Sequence, residues 1–409
     1  MTNFVYISPA YPASSAEFCV HLARSGVCVL GIGDGPYEEL PRPLIGALSE
    51  YYRVNSLEDY DQAYRATAYF AHRYGRIDWL ESNNEYWLEL DARLRTDFNI
   101  TTGEKTDRIA LLRSKAAMKP VYASVGVPAP RQIQLTTRSA AEEFIKQVGY
   151  PVVVKPEFGV GATHTRRLTR DEDLDALFSA PPADPYVMEQ FVYGDIYSYD
   201  GIIGSGPEPL FEAATRWPPS IMDIVHQDLD LSYRVLDRIP GQLREYGRRT
   251  LEAFGVQRRF FHLEFFRLRG DQPGLGRQGD FVALEVNMRP AGGVTVDMYN
   301  YARAADAYQV YTDMVTGNDT GAATKMASDA QICVYAARRD NHRYRIPREH
   351  ILATYQPELV RMGRNPELFV PQMGNEFFIL RTPSSAQADQ FEADVLARAD
   401  DHAPSIHVA

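Results

Sequence analysis

The sequence predicts an α/β N-terminal unit with an open, mostly parallel sheet, continued by a mixed α+β body. Three observations carry that expectation. Through residue 104 strand and helix signals alternate, the pattern of a parallel sheet with crossover helices. Beyond Thr106 helices alternate with strands rich in Val, Phe and Tyr, and two of those strands flank a Gly/Pro loop, as an antiparallel pair does. At 409 residues the chain exceeds the size at which a single core keeps growing, so several domains are expected.

FVYIS (4–8) reads as a short apolar strand, SSAEFCVHLARSG (14–26) as a Ser-capped helix closed by Gly26, and VCVLGIG (27–33) as a second strand. SLEDYDQAYRATAYFAHRYG (56–75) has Ser at the N-cap position, acids in the first turn and a closing Gly. The strand RIDWLES (76–82) and the helix NEYWLELDARLRTDF (84–98) complete a Rossmann-like unit. Its GIGDG (31–35) lacks the G-x-G-x-x-G spacing and follows the second strand, so no dinucleotide site is expected. Glu81, Asn83 and Glu85 stand where a strand ends, at the binding edge of an open sheet, although the preference of a helix N-terminus for acids explains Glu85 equally well.

DRIALLRSKAAMKPVYASVGVPAP (107–130) reads as one helix stopped by Gly126, and SAAEEFIKQVG (139–149) as another. YPVVVKPEFGVGATHTRRL (150–168) is a buried strand entering a glycine loop and leaving it again. RFFHLEFFRLRG (259–270) and DFVALEVNMRP (280–290) are the antiparallel neighbours. From QICVYAARR onward a few strands and helices pack on the body, and there is no internal repeat.

A net charge of -11 and a pI near 5.4 disfavour nucleic acid or an anionic membrane as partner, since both need a basic footprint. No basic region with an apolar run opens the chain and no stretch of about 18 apolar residues occurs, so a soluble cytoplasmic protein with small-molecule partners is expected. Cys19, Cys28 and Cys333 are odd in number and widely spaced, which suggests buried thiols rather than disulfides or zinc.

Lys155 ends a valine strand, where an ammonium needs an anionic partner, and Gly159 and Gly161 allow backbone N–H groups to close around phosphate. That combination suits a triphosphate grip; it equally suits a surface hairpin with a solvated lysine. On the antiparallel pair, His262, Glu264 and Phe266 share one face and Glu285, Asn287 and Arg289 another, so two carboxylates and an amide converge. Such an acidic pair among apolar residues calls for a cation, and Mg²⁺ suits oxygen ligands combined with phosphates. Arg289 would offer its fork of donors to a phosphoryl or carboxylate oxygen, unless Glu285 and Arg289 merely form a partly solvated network.

Lys115 in LRSKAAMKPVYASVGVPAP, Lys155 with its glycine loop, YVMEQFVYGDIYSYDG, FHLEFF and LEVNMRPAGG, in that order, resemble the ATP-grasp superfamily over nearly the whole chain. The resemblance implies an ATP-grasp fold clamping ATP between two α+β subdomains, preceded by an α/β domain of biotin-carboxylase-like type. The implied divisions are 1–104, 105–190 with the glycine-rich lid, 191–317 with the metal-binding strands, and a C-terminal portion, 318–409. It further implies that Lys115 and Lys155 contact ATP, that Gly159, Val160 and Gly161 cover its phosphates, and that Glu189, Gln190, Phe191 and the Val192 backbone border the adenine. Glu264, Glu285 and Asn287 would hold Mg²⁺, which Mn²⁺ can replace, and Arg289 would stabilise the transferring phosphoryl group, with His262 as a proton carrier or an orienting group. Where family members commonly carry a ribose-binding acid, this chain has Ile196, with Asp195 adjacent.

The implied activity is carboxylate–amine ligation through an acyl phosphate, releasing ADP and phosphate, on amino acids or small metabolites. Arg216, Trp217 and His226 are candidate substrate contacts in a segment that borders the acceptor pocket in the family, and a homodimer is an admissible assembly. Two other readings stand beside it: a biotin-carboxylase-like carboxylase, for which no carrier segment is evident in the sequence, and a non-catalytic ATP-binding regulator. The sequence shows no G-x-S-x-G elbow and no Cys–His arrangement for nucleophilic catalysis.

Overall fold

The computed structural model describes residues 1–159, 164–217, 224, 228–318 and 330–399. Its first sheet holds β1 (Asn3–Ile7), β2 (Cys28–Gly33), β3 (Glu50–Arg53) and β4 (Trp79–Glu81) in the order β3-β2-β1-β4, all parallel. Strands covered on both faces read as continuous apolar runs, and here Val5, Ile7, Leu30 and Ile32 pack against Ala63, Ala66 and Phe70 of the helix Tyr60–Tyr74. Phe4, Tyr6 and Val29 face Phe18 and Leu22 of the opposite helix, Ser15–Arg24. Tyr60–Tyr74 starts later than the sequence suggests because Asp59, not Ser56, caps it: the Asp59 carboxylate accepts the amides of Asp61 at 3.1 Å and Gln62 at 3.4 Å.

The single helix expected over 107–126 is two, Ile109–Arg113 and Lys115–Ser124. Ser114 breaks it by taking an extended backbone and accepting the Ala117 amide at 3.1 Å, while the Lys115 amide donates to the Glu157 carbonyl at 3.3 Å. Lys115 is thereby fixed at the first position of a helix, beside the strand that carries Lys155.

A second, antiparallel sheet has β5 (Gln132–Gln134), β6 (Val152–Pro156), β7 (Arg166–Leu168) and β8 (Tyr186–Gln190) in the order β5-β8-β6-β7. The third is an eight-stranded antiparallel sheet of β9 (Gly194–Ile203), β10 (Pro209–Trp217), β11 (Ser232–Val235), β12 (Arg259–Leu268), β13 (Phe281–Asn287), β14 (Ile332–Arg338), β15 (Leu359–Arg364) and β16 (Glu376–Thr382). Its order is β13-β12-β9-β10-β11-β14-β16-β15, so the C-terminal strands prolong the sheet that β9 begins.

β12 and β13 pair as expected, with a register shift beyond Glu264 that leaves Leu284 unpaired. β13 ends at Asn287, so Arg289 lies past the strand rather than in line with Glu285 and Asn287 along it. Among the described residues no helix is long and apolar enough to cross a membrane.

Candidate active site

The register of β12 on β13 places His262 opposite Asn287 and Glu264 opposite Glu285. The other sides carry Leu263, Phe265 and Val286, with Met288 just past β13, into an apolar cluster, which leaves His262, Glu264, Glu285 and Asn287 together on the opposite face. Opposed carboxylates repel, and the structure sets a cation against each. The Lys115 ammonium lies 3.1 Å from Glu285, and the His262 Nε2 lies 3.0 Å from Glu264. Burial tends to raise the Glu264 pKa, but the His262 contact, with Arg289 and Lys155 behind it, brings it below the ordinary carboxylate value.

His262 is buried and its Nδ1 meets Asp200, its partner across β9, at 2.5 Å. Burial opposes its charge, yet Asp200 and then Glu264 outweigh that cost and raise its pKa to about 9, so both ring nitrogens donate. Asp200 is in turn fixed by the Ser198 hydroxyl at 2.6 Å and that of Thr215 at 3.1 Å. His262 is a charged bridge between two acids, which keeps Glu264 oriented towards Glu285.

Lys155, at the end of β6, and Glu189, near the end of β8, form the second cluster, with Nζ 2.6 Å from the carboxylate. The other Glu189 oxygen lies 2.9 Å from Lys119, a residue that the sequence did not single out. Burial would raise the Glu189 pKa, but the two ammonium groups dominate and depress it to about 2. Burial likewise lowers the Lys119 pKa, whereas at Lys155 the nearby Glu189 and Glu285 overcome burial and raise it. Lys115 also donates to the Gly159 carbonyl at 3.3 Å, tying the start of the glycine loop to the helix. Lys115 and Lys155 line a cleft of about 640 Å³ together with Tyr86, Trp87 and Arg93 of the N-terminal unit.

The remaining expected residues are placed as follows. Gln190 accepts the Arg131 amide at 3.4 Å, the Phe191 ring lies under Arg167, and Val192 is buried with Leu268, Leu275 and Val282. Asp195 is occupied by Arg269 at 2.8 Å, with Arg216 at 3.8 Å. Trp217 stacks on Tyr233 at 4.3 Å and donates to Ser198 at 3.0 Å, so it packs against the residues that hold His262. Val160, Gly161 and His226 lie outside the described residues. Arg289 reaches back to the N-terminal unit, with its Nε 3.4 Å from Glu85 and Nη1 donating to the Pro290 carbonyl at 2.9 Å.

Asp200, Lys119 and the Ser114–Glu157 pair, hydrogen-bonded at 2.5 Å, are the residues that sequence reasoning missed. The only signal for Lys119 is its i+4 spacing from Lys115 on one helix face. Among the described residues no three His, Cys, Asp or Glu side chains group as a metal site. The expected set is of another kind: two opposed carboxylates and one amide, all oxygen donors, which suits a hard cation that completes its shell with phosphate and water.

No family model matches the sequence. Among curated proteins, the chain is 29% identical over 94 residues to a carbamoyl phosphate synthase large chain of Rubrobacter xylanophilus, covering 22% of this chain and 9% of that one. It is 28% identical over 164 residues to the D-alanine–D-alanine ligase of Ectopseudomonas mendocina, covering 38% and 51%. The aligned stretches therefore span less than a tenth of the first relative and about half of the second. Among solved structures, an L-amino acid ligase from Bacillus licheniformis superposes with a TM-score of 0.71 at 15% identity, over 97% of this chain and 98% of that one. The N5-carboxyaminoimidazole ribonucleotide synthetase from Thermotoga maritima gives 0.64 at 14% identity, over 98% and 100%. These relatives and neighbours are ATP-grasp ligases, as the sequence resemblance implies. The chain has the ATP-grasp fold, with a parallel α/β sheet at its N-terminus and a large antiparallel sheet behind the site.

Proposed function

We propose that this protein is an ATP- and Mg²⁺-dependent carboxylate–amine ligase that forms an amide bond through an acyl phosphate and releases ADP and phosphate. The observation that carries the reading is the register of β12 on β13, which opposes Glu264 and Glu285 while Lys115, Lys155 and Arg289 lie around them. A carboxylate resists amines because its leaving group would be oxide. Transfer of the γ-phosphoryl group to a carboxylate oxygen makes phosphate the leaving group; the amine then attacks the carbonyl carbon, and that oxygen departs in phosphate. The work asked of the protein is alignment and charge neutralisation, and no side-chain nucleophile is needed.

Glu264, Glu285 and Asn287 would hold Mg²⁺, which when bound neutralises and orients the triphosphate; Mn²⁺ would serve in the same position. Lys115 and Lys155 would exchange their carboxylate partners for phosphate oxygens, Gly159 to Gly161 would cover the phosphates, and Glu189 to Val192 would border the adenine. Arg289 would take the acyl phosphate. His262, locked between two acids, orients Glu264 and is a positioning residue rather than a proton carrier in this reading. The ribose would be met by Asp195 once Arg269 yields it, and Arg216 and Trp217 act on substrate indirectly, through Asp195 and Ser198.

The same reading takes the divisions 1–104, 105–190, 191–317 and 318–409 as functional units. It assigns small-molecule carboxylates and amines as partners, a cytoplasmic location, and a homodimer as the assembly to test first. The test is nucleotide release from Mg·ATP with pooled amino acids, small acids and bicarbonate, resolving ADP from AMP and recording product masses. Substrate-dependent ADP with a mass equal to two reactants minus water is expected. Bicarbonate-dependent ADP alone would favour a carboxylase, and ATP binding without turnover a regulator.

A further inference from the structure

Glu85 stands at the edge of the N-terminal sheet with Arg289 as its one ion-pair partner among the described residues. β4 ends at Glu81, Asn83 takes a left-handed backbone with φ 52°, and Asn84 accepts the Tyr86 amide at 3.1 Å, a turn that directs Glu85 towards the metal-binding strands. Its neighbours each accept on one oxygen, Glu81 from Arg95 at 2.8 Å and Arg259 at 2.7 Å, and Asp91 from the Ser82 amide at 3.0 Å, while Glu81 Oε1 and Asp91 Oδ1 are buried without a hydrogen bond as well. Glu85 is 8% exposed, and its Oε2 is buried without a hydrogen bond. The Arg289 Nε stands 3.4 Å away, close enough for attraction but not aligned to donate. A buried carboxylate oxygen with no donor is costly and calls for a partner, whether water, an ion or a ligand.

We infer that Glu85 receives the ammonium group of the carboxylate donor, so that the acid phosphorylated at this site is an α-amino acid. The inference rests on the ligase reading and names its substrate class. An α-amino acid carries its ammonium and carboxylate on adjacent positions of one carbon. The protein presents the complementary pair side by side, a carboxylate from the N-terminal unit and a guanidinium from the loop after β13. On binding, each protein charge exchanges its 3.4 Å mutual contact for a charge-assisted hydrogen bond to the substrate. The donor's carboxylate is then held at Arg289, beside Glu285 and the lysines, where the phosphoryl group arrives. A simple carboxylic acid or bicarbonate would leave Glu85 unsatisfied, and discrimination of this kind is large when the site's polar group is buried.

Hydroxylamine substitutes for the amine acceptor and traps the acyl phosphate as a hydroxamate, so the donor can be tested alone. The full chain is assayed with Mg·ATP, hydroxylamine and matched trios: L-alanine, lactate and propionate; L-leucine, 2-hydroxy-4-methylpentanoate and 4-methylpentanoate; L-phenylalanine, phenyllactate and phenylpropionate. Hydroxamate and ADP are expected from amino acids, with the deaminated acids poorer by at least about tenfold in kcat/KM. Glu85→Gln should raise KM for the amino acid by about tenfold or more, and collapse the preference over the deaminated acid, while KM for ATP changes by less than about twofold. Glu85→Asp should recover part of the preference, an outcome that a merely structural role would not give. A wild-type protein that activates deaminated acids equally well, or a Glu85→Gln variant that keeps wild-type KM and preference, overturns the inference and leaves the ligase reading standing. ATP binding without ADP from any donor overturns that reading, and the Glu85 assignment falls with it.

Discussion

Glu81 and Glu189 are both buried between two cations, Glu81 by Arg95 at 2.8 Å and Arg259 at 2.7 Å, Glu189 by Lys119 at 2.9 Å and Lys155 at 2.6 Å. The cations make the difference. Arginine is always charged and presents a rigid fork, and Arg95 also donates to the Leu80 carbonyl at 2.9 Å and the Glu104 carbonyl at 3.0 Å. That cluster fastens β4 to the first residue of β12, and so joins the N-terminal sheet to the large one. Lysine is a point charge on a flexible stem, and Lys155 lines the cleft. Its contact can be exchanged for phosphate without moving a strand. One cluster is a fastening, the other a grip held closed by its own carboxylate.

The predictions that would break this distinction run from large effects to small. Glu285→Ala should lower turnover by about a thousandfold or more, measured as ADP release, because the phosphoryl group loses its alignment, while the melting temperature stays near that of the wild type. Arg259→Met should destabilise the fold by about 3–5 kcal/mol in urea titration, since it leaves a buried carboxylate short of a partner. The distinction would be inverted if that variant kept its stability and lost nucleotide instead. Lys155→Met should weaken ATP binding by roughly ten- to a hundredfold in calorimetry, with a smaller stability loss than Arg259→Met because Lys155 lines the cleft instead of joining two sheets.

The smallest effect is a pH dependence. Glu189 is depressed from 4.5 to about 2, so its contribution to stability is fully present above pH 4.5 and is lost as pH falls towards 2. Removing Lys119 with Lys155 should flatten the acid limb of a stability–pH profile across that window. An unchanged limb would mean that the ammonium groups do not hold Glu189 ionised.

The β12–β13 hairpin was legible in the sequence because alternation and a Gly/Pro loop are local signals, and the convergence of Glu264, Glu285 and Asn287 followed from strand period alone. The parallel N-terminal sheet was legible in three of its four strands from the alternation of strand and helix signals, whereas β3 (Glu50–Arg53), with its mixed polar and aromatic residues, was not. What escaped depends on distant pairing. Asp200 meets His262 only through the β9–β12 register, 62 residues apart in sequence. The break at Ser114 requires a partner at Glu157, and Lys119 looks like any helical lysine until β8 brings Glu189 to it. The polar alternation continues past Asn287 and so places Arg289 in the strand, whereas the chain leaves the sheet there to meet Glu85.

The central claim is that a substrate carboxylate oxygen is phosphorylated at the acid pair and leaves as phosphate. The most direct measurement is turnover with a donor labelled with ¹⁸O in its carboxylate, followed by mass analysis of phosphate, nucleotide and amide. Acyl-phosphate chemistry places one labelled oxygen in the released phosphate and leaves the nucleotide unlabelled. Label in AMP, or phosphate without label, would contradict it.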